Sequence, residues 1–343
     1  MTKTNIISIT IAIGLSFAML LAEPNEKFKV FLCFGQSNMS GGAGVNPEQQ
    51  DMQTHDRVMT LAFNDCAQNQ WQKDKWYDAK EPLHCGDGVN AMGPAYAFGK
   101  VLADSLPDDT IGLIPCGQWG VAISMFEKGG YYTGANKPGY PGGNNVYDWM
   151  VNRCRIAQER GVISGIILHQ GEANSGDQSW PDKIESLYEN LKADLDLESD
   201  IPLVAGELLY SGCCGGHNTV VAKIPEKLPL GYVASAQGLS GGGSLPQYHF
   251  NQAGYRETGK RFAIEMLKGL RQIETKITEK KVSRIISTHN HLGRDIKLYS
   301  LDGKRINKKT SANLQTAKIT AGIYIAGPQT SGKQARLLLF PAQ

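Results

Sequence analysis

The sequence lacks a charge excess of either sign and lacks the biased composition of fibrous or disordered chains. Its 343 residues contain 35 Lys and Arg against 33 Asp and Glu, which gives a formal net charge of +2. This near balance argues against a polyanionic partner such as a nucleic acid. With 41% hydrophobic and 20% charged residues, 39 Gly and 15 Pro, the composition excludes a disordered chain, a coiled coil and a collagen-like chain. A globular, loop-rich protein of one large and one smaller domain remains.

Metal-binding spacings are missing as well. None of the 7 Cys lies in a C-x-x-C motif or at a Cys/His spacing that suggests zinc. We therefore expect no metal and no cofactor. Cys33 and Cys116 lie inside apolar, strand-like runs, which is typical of small buried side chains.

The other cysteines bear on disulfides. Cys66 and Cys85 flank a polar insertion that they could close with a disulfide. Cys213 and Cys214 are adjacent, which is poor geometry for a bond to each other. We therefore expect one of them to pair elsewhere, with Cys154 as the candidate partner.

Only one hydrophobic run approaches the length of a membrane span. Lys3 is followed by the apolar segment Ile6–Ala22 and then by polar residues. This order predicts a secretory signal peptide over residues 1–22, although Leu20 departs from the small-residue rule for cleavage after Ala22. The alternative is an uncleaved anchor. A cleaved signal makes the mature protein secreted or attached to the cell surface.

The main body alternates short apolar runs with segments of helical periodicity. This alternation predicts an α/β fold with a parallel sheet that helices cover on both faces. Five strands are predicted, at Phe28–Phe34, Ile111–Cys116, Ile163–His169, Leu203–Leu208 and Tyr232–Ala236. Helices are predicted at Pro94–Ala103, Val146–Ala157, around Ile184–Leu195 and around Tyr255–Leu270.

Chemistry-bearing residues follow these strands, where ligands bind in parallel sheets. Gly35–Gly42 reads GQSNMSGG, Ile114–Gly120 reads IPCGQWG, His169–Asn174 reads HQGEAN, and His249 opens HFNQAGYRETGKRFA. Together these segments supply a hydroxyl, an imidazole, a carboxylate and backbone N–H donors. Those are the components of acyl transfer through a covalent serine intermediate.

These motifs resemble, in order and spacing over about residues 28–270, the SGNH-type carbohydrate acetylesterases. The resemblance is to the acetylxylan esterases of carbohydrate esterase family 6, with sialate O-acetylesterase-like enzymes as near relatives. It implies a three-layer α/β/α fold and a metal-free serine hydrolase that removes acetyl groups from polysaccharide. The expected substrate is acetylated xylan. Sialate or another acetylated sugar is the alternative within enzymes.

The resemblance also implies roles for single residues. Ser37 matches the nucleophile and His249 the general base. The backbone N–H groups of Ser37 and Gly120 match part of the oxyanion hole. A side-chain donor is expected from the HQGE block, with Gln170 as the first choice and Asn174 as the second.

One departure from the family pattern concerns the acid that orients the histidine. Relatives commonly carry Asp three residues before this histidine, where the present chain has Pro246. Glu172 is therefore assigned as the third catalytic residue, with Glu207 as the reserve because it also ends a strand. The same departure motivates a second functional hypothesis, a carbohydrate-binding protein without catalysis. His169 is expected to be structural.

Aromatic and amide side chains near these motifs are candidates for sugar contacts. Trp119 lies in the predicted oxyanion turn, and Gln36 precedes the nucleophile, so both are assigned to substrate binding. Tyr131, Tyr132 and Tyr140 lie in a Gly/Pro-rich loop and could serve either sugar stacking or loop packing.

The last part of the chain differs from the rest in charge. Lys276–Gln343 contains 13 Lys and Arg against 3 Asp and Glu, whereas the remainder contains 22 against 30. We divide the mature chain into an esterase domain, 23–274, and a basic β-rich module, 275–343. Strands are expected on both sides of Asp302-Gly303, at Ala321–Ala326 and at Ala335–Phe340. The module resembles C-terminal β-sandwich modules of secreted bacterial enzymes, some of which act in sorting. A surface or sorting contact and a passive stabilising role both stay open.

Overall fold

The computed structural model describes residues 24–85, 91–131 and 145–277 with their side chains. Beyond these it describes the backbone of one helix as far as His291 and three short strands. The predicted signal peptide over residues 1–22 lies outside the described residues. No helix in the described part of the chain is long and apolar enough to cross a membrane.

A seven-stranded sheet forms the centre of the body. Its strands are β1 (Asn25–Gly35), β2 (Val58–Leu61), β3 (Trp76–Asp78), β4 (Thr110–Gly117), β5 (Gly161–His169), β6 (Leu203–Gly206) and β7 (Gly231–Ala234). The order across the sheet is β3-β2-β4-β1-β5-β6-β7, and every pair is parallel except β2 with β3. All five predicted strands are confirmed. Strand β3 at one edge of the sheet and its neighbour β2 were not predicted, because neither is a long apolar run.

Seven helices are described. The long ones are α2 (Ala95–Ser105), α3 (Val146–Gln158), α4 (Trp180–Asp194) and α7 (Gln252–His291), and the short ones are α1 (Ser37–Ser40), α5 (Asn218–Val221) and α6 (Ile224–Lys227). Each of the four predicted helices is confirmed.

The sheet is buried on both faces, as its continuous apolar strands require. Val30, Leu32 and Phe34 of β1 face a core completed by α3 and α4. Phe31 and Cys33 point the opposite way, toward a core completed by α2 and α7. Burial of each such Phe or Leu contributes about 1.5–3 kcal/mol. Because side chains alternate along a strand, β1 joins the two cores, and the predicted α/β fold is confirmed.

The disulfides agree with the sequence in one case and differ in the other. Cys66 and Cys85 are bonded, as predicted. The expectation for the adjacent pair is wrong, because Cys213 and Cys214 are bonded to each other. Cys154 keeps a free thiol buried beneath the sheet, where the surface loop that carries Cys213 does not reach it.

The C-terminal region is described in fragments. Strands β8 (Lys297–Ser300), β9 (Arg305–Ile306) and β10 (Ile323–Ala326) form an antiparallel sheet in the order β10-β8-β9. The strand predicted at Ala335–Phe340 lies outside the described residues. Helix α7 runs through residue 275, so the change in charge there coincides with no break in secondary structure. The division into domains stays a prediction.

Candidate active site

The three central strands β4, β1 and β5 end at the same level, at the carboxyl end of the sheet. In the register of the parallel ladders, Gly35 at the end of β1 lies beside Gly117 of β4 and beside His169 of β5. The motifs that follow these strands therefore begin at the same level. This register brings the GQSN, GQWG and HQGE segments together, as expected at the carboxyl ends of parallel strands.

The turn after β1 presents the predicted nucleophile. Gly35 has a φ of 144°, and a Cβ atom there would lie 2.1 Å from the His169 carbonyl oxygen, so only glycine fits. The N–H of Gln36 donates to the same carbonyl. Helix α1 begins directly afterwards at Ser37, whose residue surface is 8% exposed. The backbone therefore turns sharply and places the serine at the start of a short helix.

The predicted base lies beside this serine. The distance from His249 Nε2 to Ser37 Oγ is 3.0 Å, although the two residues are 212 positions apart. The His249 N–H donates to the Leu245 carbonyl and closes a turn before α7. Burial lowers the pKa of the imidazole below its ordinary value. The structure thus brings together the hydroxyl and the imidazole that acyl transfer needs.

The other nitrogen of this imidazole faces a donor instead of an acid. His249 Nδ1 accepts a hydrogen bond of 3.2 Å from the Ala43 N–H. In this arrangement the neutral ring carries its proton on Nε2, which donates toward Ser37 Oγ. No carboxylate among the described residues is hydrogen-bonded to the ring.

Glu172, the residue predicted to orient His249, makes no hydrogen bond to the imidazole in this structure. Glu172 begins the turn after β5, and this turn places its side chain against α1. There Oε1 accepts a hydrogen bond of 2.5 Å from Asn38 Nδ2. Burial raises the pKa of the Glu172 carboxyl to about 7. The reserve residue Glu207 is also engaged elsewhere, because its carboxylate accepts from the Tyr210 and Ser235 hydroxyls.

Two backbone donors are in place for an oxyanion. The N–H groups of Ser37 and Gly120 donate no hydrogen bond to any other described residue. Gly120 has a φ of 64°, which favours glycine and turns the chain after β4 back over the site. The Gln118 N–H anchors this turn to the Gly35 carbonyl. Both N–H groups are therefore without a partner among the described residues, and their role in an oxyanion hole stays a prediction.

The predicted side-chain donors to the oxyanion, Gln170 and Asn174, have partners within the protein in this structure. Gln170 Nε2 donates to Asn174 Oδ1 at 2.7 Å and also approaches Gln36 Oε1 at 3.1 Å. Asn174 Nδ2 donates to Asp177 Oδ2, and Asn174 Oδ1 also accepts from the Ile123 N–H. Because both amides bond within the protein, they hold the loops after β4 and β5 together.

The two residues assigned to substrate binding, Gln36 and Trp119, differ in their burial and in their partners. Gln36 is buried, and its Oε1 accepts from Gln170 Nε2 and from the N–H groups of Gly171 and Ala173. This carbonyl oxygen thus supports the HQGE loop and does not face a substrate. Trp119 is half-buried, and its ring centroid lies 5.9 Å from that of His249. Trp119 thus lies beside His249, and its contact with a substrate stays a prediction.

The remaining predictions concern less central residues. His169 is fully buried, its Nε2 lies 3.1 Å from the Glu207 carbonyl oxygen, and its ring packs edge-on against Phe250. This environment is structural, as expected. Tyr131 is exposed, while Tyr132 and Tyr140 lie outside the described residues. Within the described ranges, no group of three or more His, Cys, Asp or Glu could hold a metal ion.

Sequence reasoning missed three residues of the site. Asn38 is fully buried and bonds to Glu172, Tyr248 and Tyr255. Its place within GQSN was the only available signal. Tyr248 is exposed beside His249, with ring centroids 6.5 Å apart, and Tyr255 lies one turn into α7. Their contacts depend on chain segments more than 200 positions apart.

The chain is similar to a known carbohydrate esterase. The chain is 29% identical over 208 residues to the "Probable carbohydrate esterase At4g34215" of Arabidopsis thaliana. This alignment covers 56% of this chain and 73% of that protein. The X-ray structure of the Arabidopsis protein aligns with a TM-score of 0.56 at 24% identity, over 71% of this chain and 98% of that one.

Two further structures share the fold. NanS aligns with a TM-score of 0.58 at 17% identity, over 73% of this chain and 99% of that one. XAC1771, a carbohydrate acetylesterase from Xanthomonas citri, aligns with a TM-score of 0.52 at 17% identity, over 71% of this chain and 57% of that one.

The family assignment comes from the sequence itself. Residues 27–268, most of the chain, match the family described as "Carbohydrate esterase, sialic acid-specific acetylesterase". This match shows the broader carbohydrate acetylesterase assignment, whereas the acetylxylan group named from the motifs stays a prediction. The chain belongs to this family of carbohydrate acetylesterases, which are carboxylic ester hydrolases.

Proposed function

We propose that this protein removes O-acetyl groups from carbohydrate through an acetyl-enzyme formed on Ser37. The 3.0 Å contact between Ser37 Oγ and His249 Nε2 carries the proposal, because it joins a hydroxyl to a base where two backbone N–H groups are open. Ser37 attacks the acetyl carbonyl carbon while His249 Nε2 takes the hydroxyl proton. The N–H groups of Ser37 and Gly120 stabilise the charge that develops on the carbonyl oxygen.

Collapse of the tetrahedral intermediate completes the first half of the reaction. The bond between the acetyl carbon and the sugar oxygen breaks, and the imidazolium returns its proton to that oxygen. Water then attacks the acetyl group with His249 as the base, which releases acetate and restores the serine. His249 can accept a proton at Nε2 only when Nδ1 carries the other one, so the Ala43 N–H must give way to an acceptor.

Two substrate classes are proposed for the same site. Acetylated plant polysaccharide, xylan above all, is the class that the motifs favour. O-acetylated sialic acid is the class in the description of the matching family. The half-buried indole of Trp119 beside His249 suits either, because the C–H groups of a sugar ring pack against flat aromatic faces. A carbohydrate-binding protein without catalysis is the alternative outside enzymes, motivated by Pro246.

Acetate release tests the function directly. Purified protein and Ser37→Ala are incubated with acetylated xylan, with O-acetylated sialic acid and with a small chromogenic acetate ester. We expect the wild type to release acetate and the variant to lose at least about 10⁴-fold in kcat. The preferred sugar identifies the substrate class. Sugar binding by the wild type with no acetate release would instead support the non-catalytic alternative.

A serine-reactive phosphonate probe tests the nucleophile without a natural substrate. We expect mass spectrometry to find the phosphonate on Ser37 in the wild type. Full esterase activity in Ser37→Ala, or labelling of another serine, would contradict the assignment.

Export and attachment are part of the proposal. The segment 1–22 is the proposed signal peptide, and the basic module 275–343 is the proposed site of a surface or sorting contact. Secretion of a full-length fusion into the medium, compared with a fusion that lacks residues 1–22, tests the first of these.

A further inference from the structure

Asn38, the residue after the nucleophile, connects three separate parts of the site. Its Nδ2 donates to Glu172 Oε1 at 2.5 Å and to the Tyr248 carbonyl oxygen at 2.9 Å. Its Oδ1 accepts from the Tyr255 hydroxyl at 2.7 Å. The side chain is fully buried, so no water competes for these bonds. One amide therefore joins the HQGE loop, the segment before His249 and helix α7.

The orientation of this amide is determined by its partners. Rotation by 180° would turn the Asn38 carbonyl oxygen toward two acceptors, the Glu172 carboxyl and the Tyr248 carbonyl. Buried acceptors that face each other are costly. Glu172 therefore helps to select the orientation in which Nδ2 reaches Tyr248. Since Tyr248 is bonded directly to His249 in the chain, its carbonyl group fixes the backbone from which the imidazole extends.

The surroundings of Glu172 show what kind of group this position needs. Oε2 is buried with no hydrogen-bond partner among the described residues, and so is Nδ1 of His169. The His169 Nε2 proton points to the Glu207 carbonyl, so His169 Nδ1 holds a lone pair, 3.9 Å from Glu172 Oε1. A proton on Oε2 would leave Oε1 free to accept from Asn38 Nδ2.

The titration of Glu172 agrees with this geometry. Burial raises the pKa of its carboxyl to about 7, and burial lowers the pKa of His169 to about 4. Near neutral pH the position thus accommodates a neutral group that keeps an acceptor for Asn38. A glutamine side chain has the same shape and offers the same acceptor.

We propose that Glu172 is a positioning residue that acts on His249 through the Asn38 amide and the Tyr248 carbonyl, without touching the imidazole. The inference rests on the proposed function, because it concerns the same reactive pair. It differs sharply from a catalytic triad. A triad requires a carboxylate at position 172, whereas the positioning role requires only an acceptor for Asn38.

Glu172→Gln and Glu172→Ala separate the two roles. The first variant keeps the acceptor for Asn38, so we expect kcat on a small acetate ester to stay within about tenfold of wild type. The second removes the acceptor, and we expect kcat to fall by about 10² with KM unchanged, the size of effect that misplacement of a catalytic group causes. A loss of about 10⁴ in Glu172→Gln, as removal of an orienting acid produces, would overturn the proposal.

Glu81→Gln is the matched control for the exchange of a buried carboxyl. Glu81 is also buried, and burial raises its pKa to about 8, but it bonds to the Leu83 N–H outside the site. We expect wild-type kcat in this variant. If Glu81→Gln and Glu172→Ala lose kcat equally, together with melting temperature, the effect is general destabilisation and the proposal fails.

A double-mutant cycle tests the route through Asn38. If Glu172 acts only through this amide, Asn38→Ala and Asn38→Ala/Glu172→Ala should have the same kcat within about threefold. Multiplicative losses would show a second route and overturn the proposal.

The rate of phosphonate labelling at Ser37, measured in every variant, separates the two failures. Absence of labelling in the wild type would contradict the proposed function itself. Normal labelling in the wild type with a 10⁴-fold slower rate in Glu172→Gln would contradict the positioning role alone.

Discussion

The two members of the reactive pair are held in different ways. Ser37 follows a buried strand, and the ladders of β1 with β4 and β5 determine the position of its backbone. His249 follows an exposed segment, 243–248, and is held by the Leu245 carbonyl, the Ala43 N–H and the bond from Asn38 to Tyr248. The sheet side is thus rigid through its backbone. The histidine side depends on a few single hydrogen bonds, so substitutions there should change activity with little change in stability.

The two histidines of the site show the same contrast. His169 ends β5 in full burial, and its Nε2 bonds to a backbone carbonyl, which holds the ring in place. His249 has Ser37 Oγ on one nitrogen and a backbone N–H on the other. His169 has no hydroxyl partner for a proton, whereas the Nε2 atom of His249 lies within hydrogen-bond distance of one. Only His249 is placed for proton transfer.

We expect the largest effect from removal of the His249 imidazole. His249→Ala should lower kcat on a small acetate ester by about 10⁴, because the hydroxyl then has no base. His55→Ala, which removes an imidazole paired with Asp104 outside the site, is the matched control and should keep wild-type activity. Comparable losses in both variants would remove the distinction between the two sides.

The pH dependence of the wild type checks the same base. Only neutral imidazole accepts the Ser37 proton, so kcat/KM should rise with pH through the pKa of His249 and then level off. Because burial lowers this pKa, the midpoint should lie below about 6.5, the ordinary value for histidine. A midpoint above that value would show an acid partner of the imidazole.

A moderate effect should come from the aromatic rings on either side of the imidazole. Trp119 belongs to the sheet side, and Tyr248 belongs to the histidine side. Trp119→Ala and Tyr248→Ala should each raise KM for an acetylated oligosaccharide by about tenfold, since a lost aromatic contact is worth about 1 kcal/mol or more. KM for ethyl acetate should be unchanged.

Tyr210→Ala is the control, because this exposed tyrosine bonds to Glu207 instead. An unchanged KM in Trp119→Ala alone would show that the sugar contacts Tyr248 and not Trp119. An unchanged KM in Tyr248→Ala alone would show the reverse.

The smallest effect concerns the two disulfides. Cys213 is exposed, and its N–H donates to the Gln247 carbonyl beside the histidine, whereas Cys66 and Cys85 are buried. Mild reduction followed by alkylation should therefore modify Cys213 and Cys214 only, as mass spectrometry of the peptides would show. We expect activity to fall no more than a few-fold, because the backbone bond to Gln247 does not need the S–S bond. Alkylation of Cys66 first would contradict the burial of that pair.

The parts of the site that the sequence predicted are local in the chain. Ser37 and Gly120 each follow a strand directly, so the apolar runs and the glycines place them at the sheet edge. Glu172 also follows a strand, yet its carboxyl bonds to Asn38 and not to His249. Position in the sequence places its Cα atom, but the choice between His249 and Asn38 depends on where a distant loop lies. The internal bonds of Gln36, Gln170 and Asn174 were missed for the same reason.

The sequence by itself determined the α/β architecture, the strand ends and which two side chains we propose to react, because periodicity and turn residues act over short stretches of chain. Only the tertiary structure decided which groups surround them. Hydrogen bonds such as Asn38 to Tyr248 join residues 210 positions apart. Their existence depends on packing to within a fraction of an ångström, a quantity that no local pattern of residues encodes.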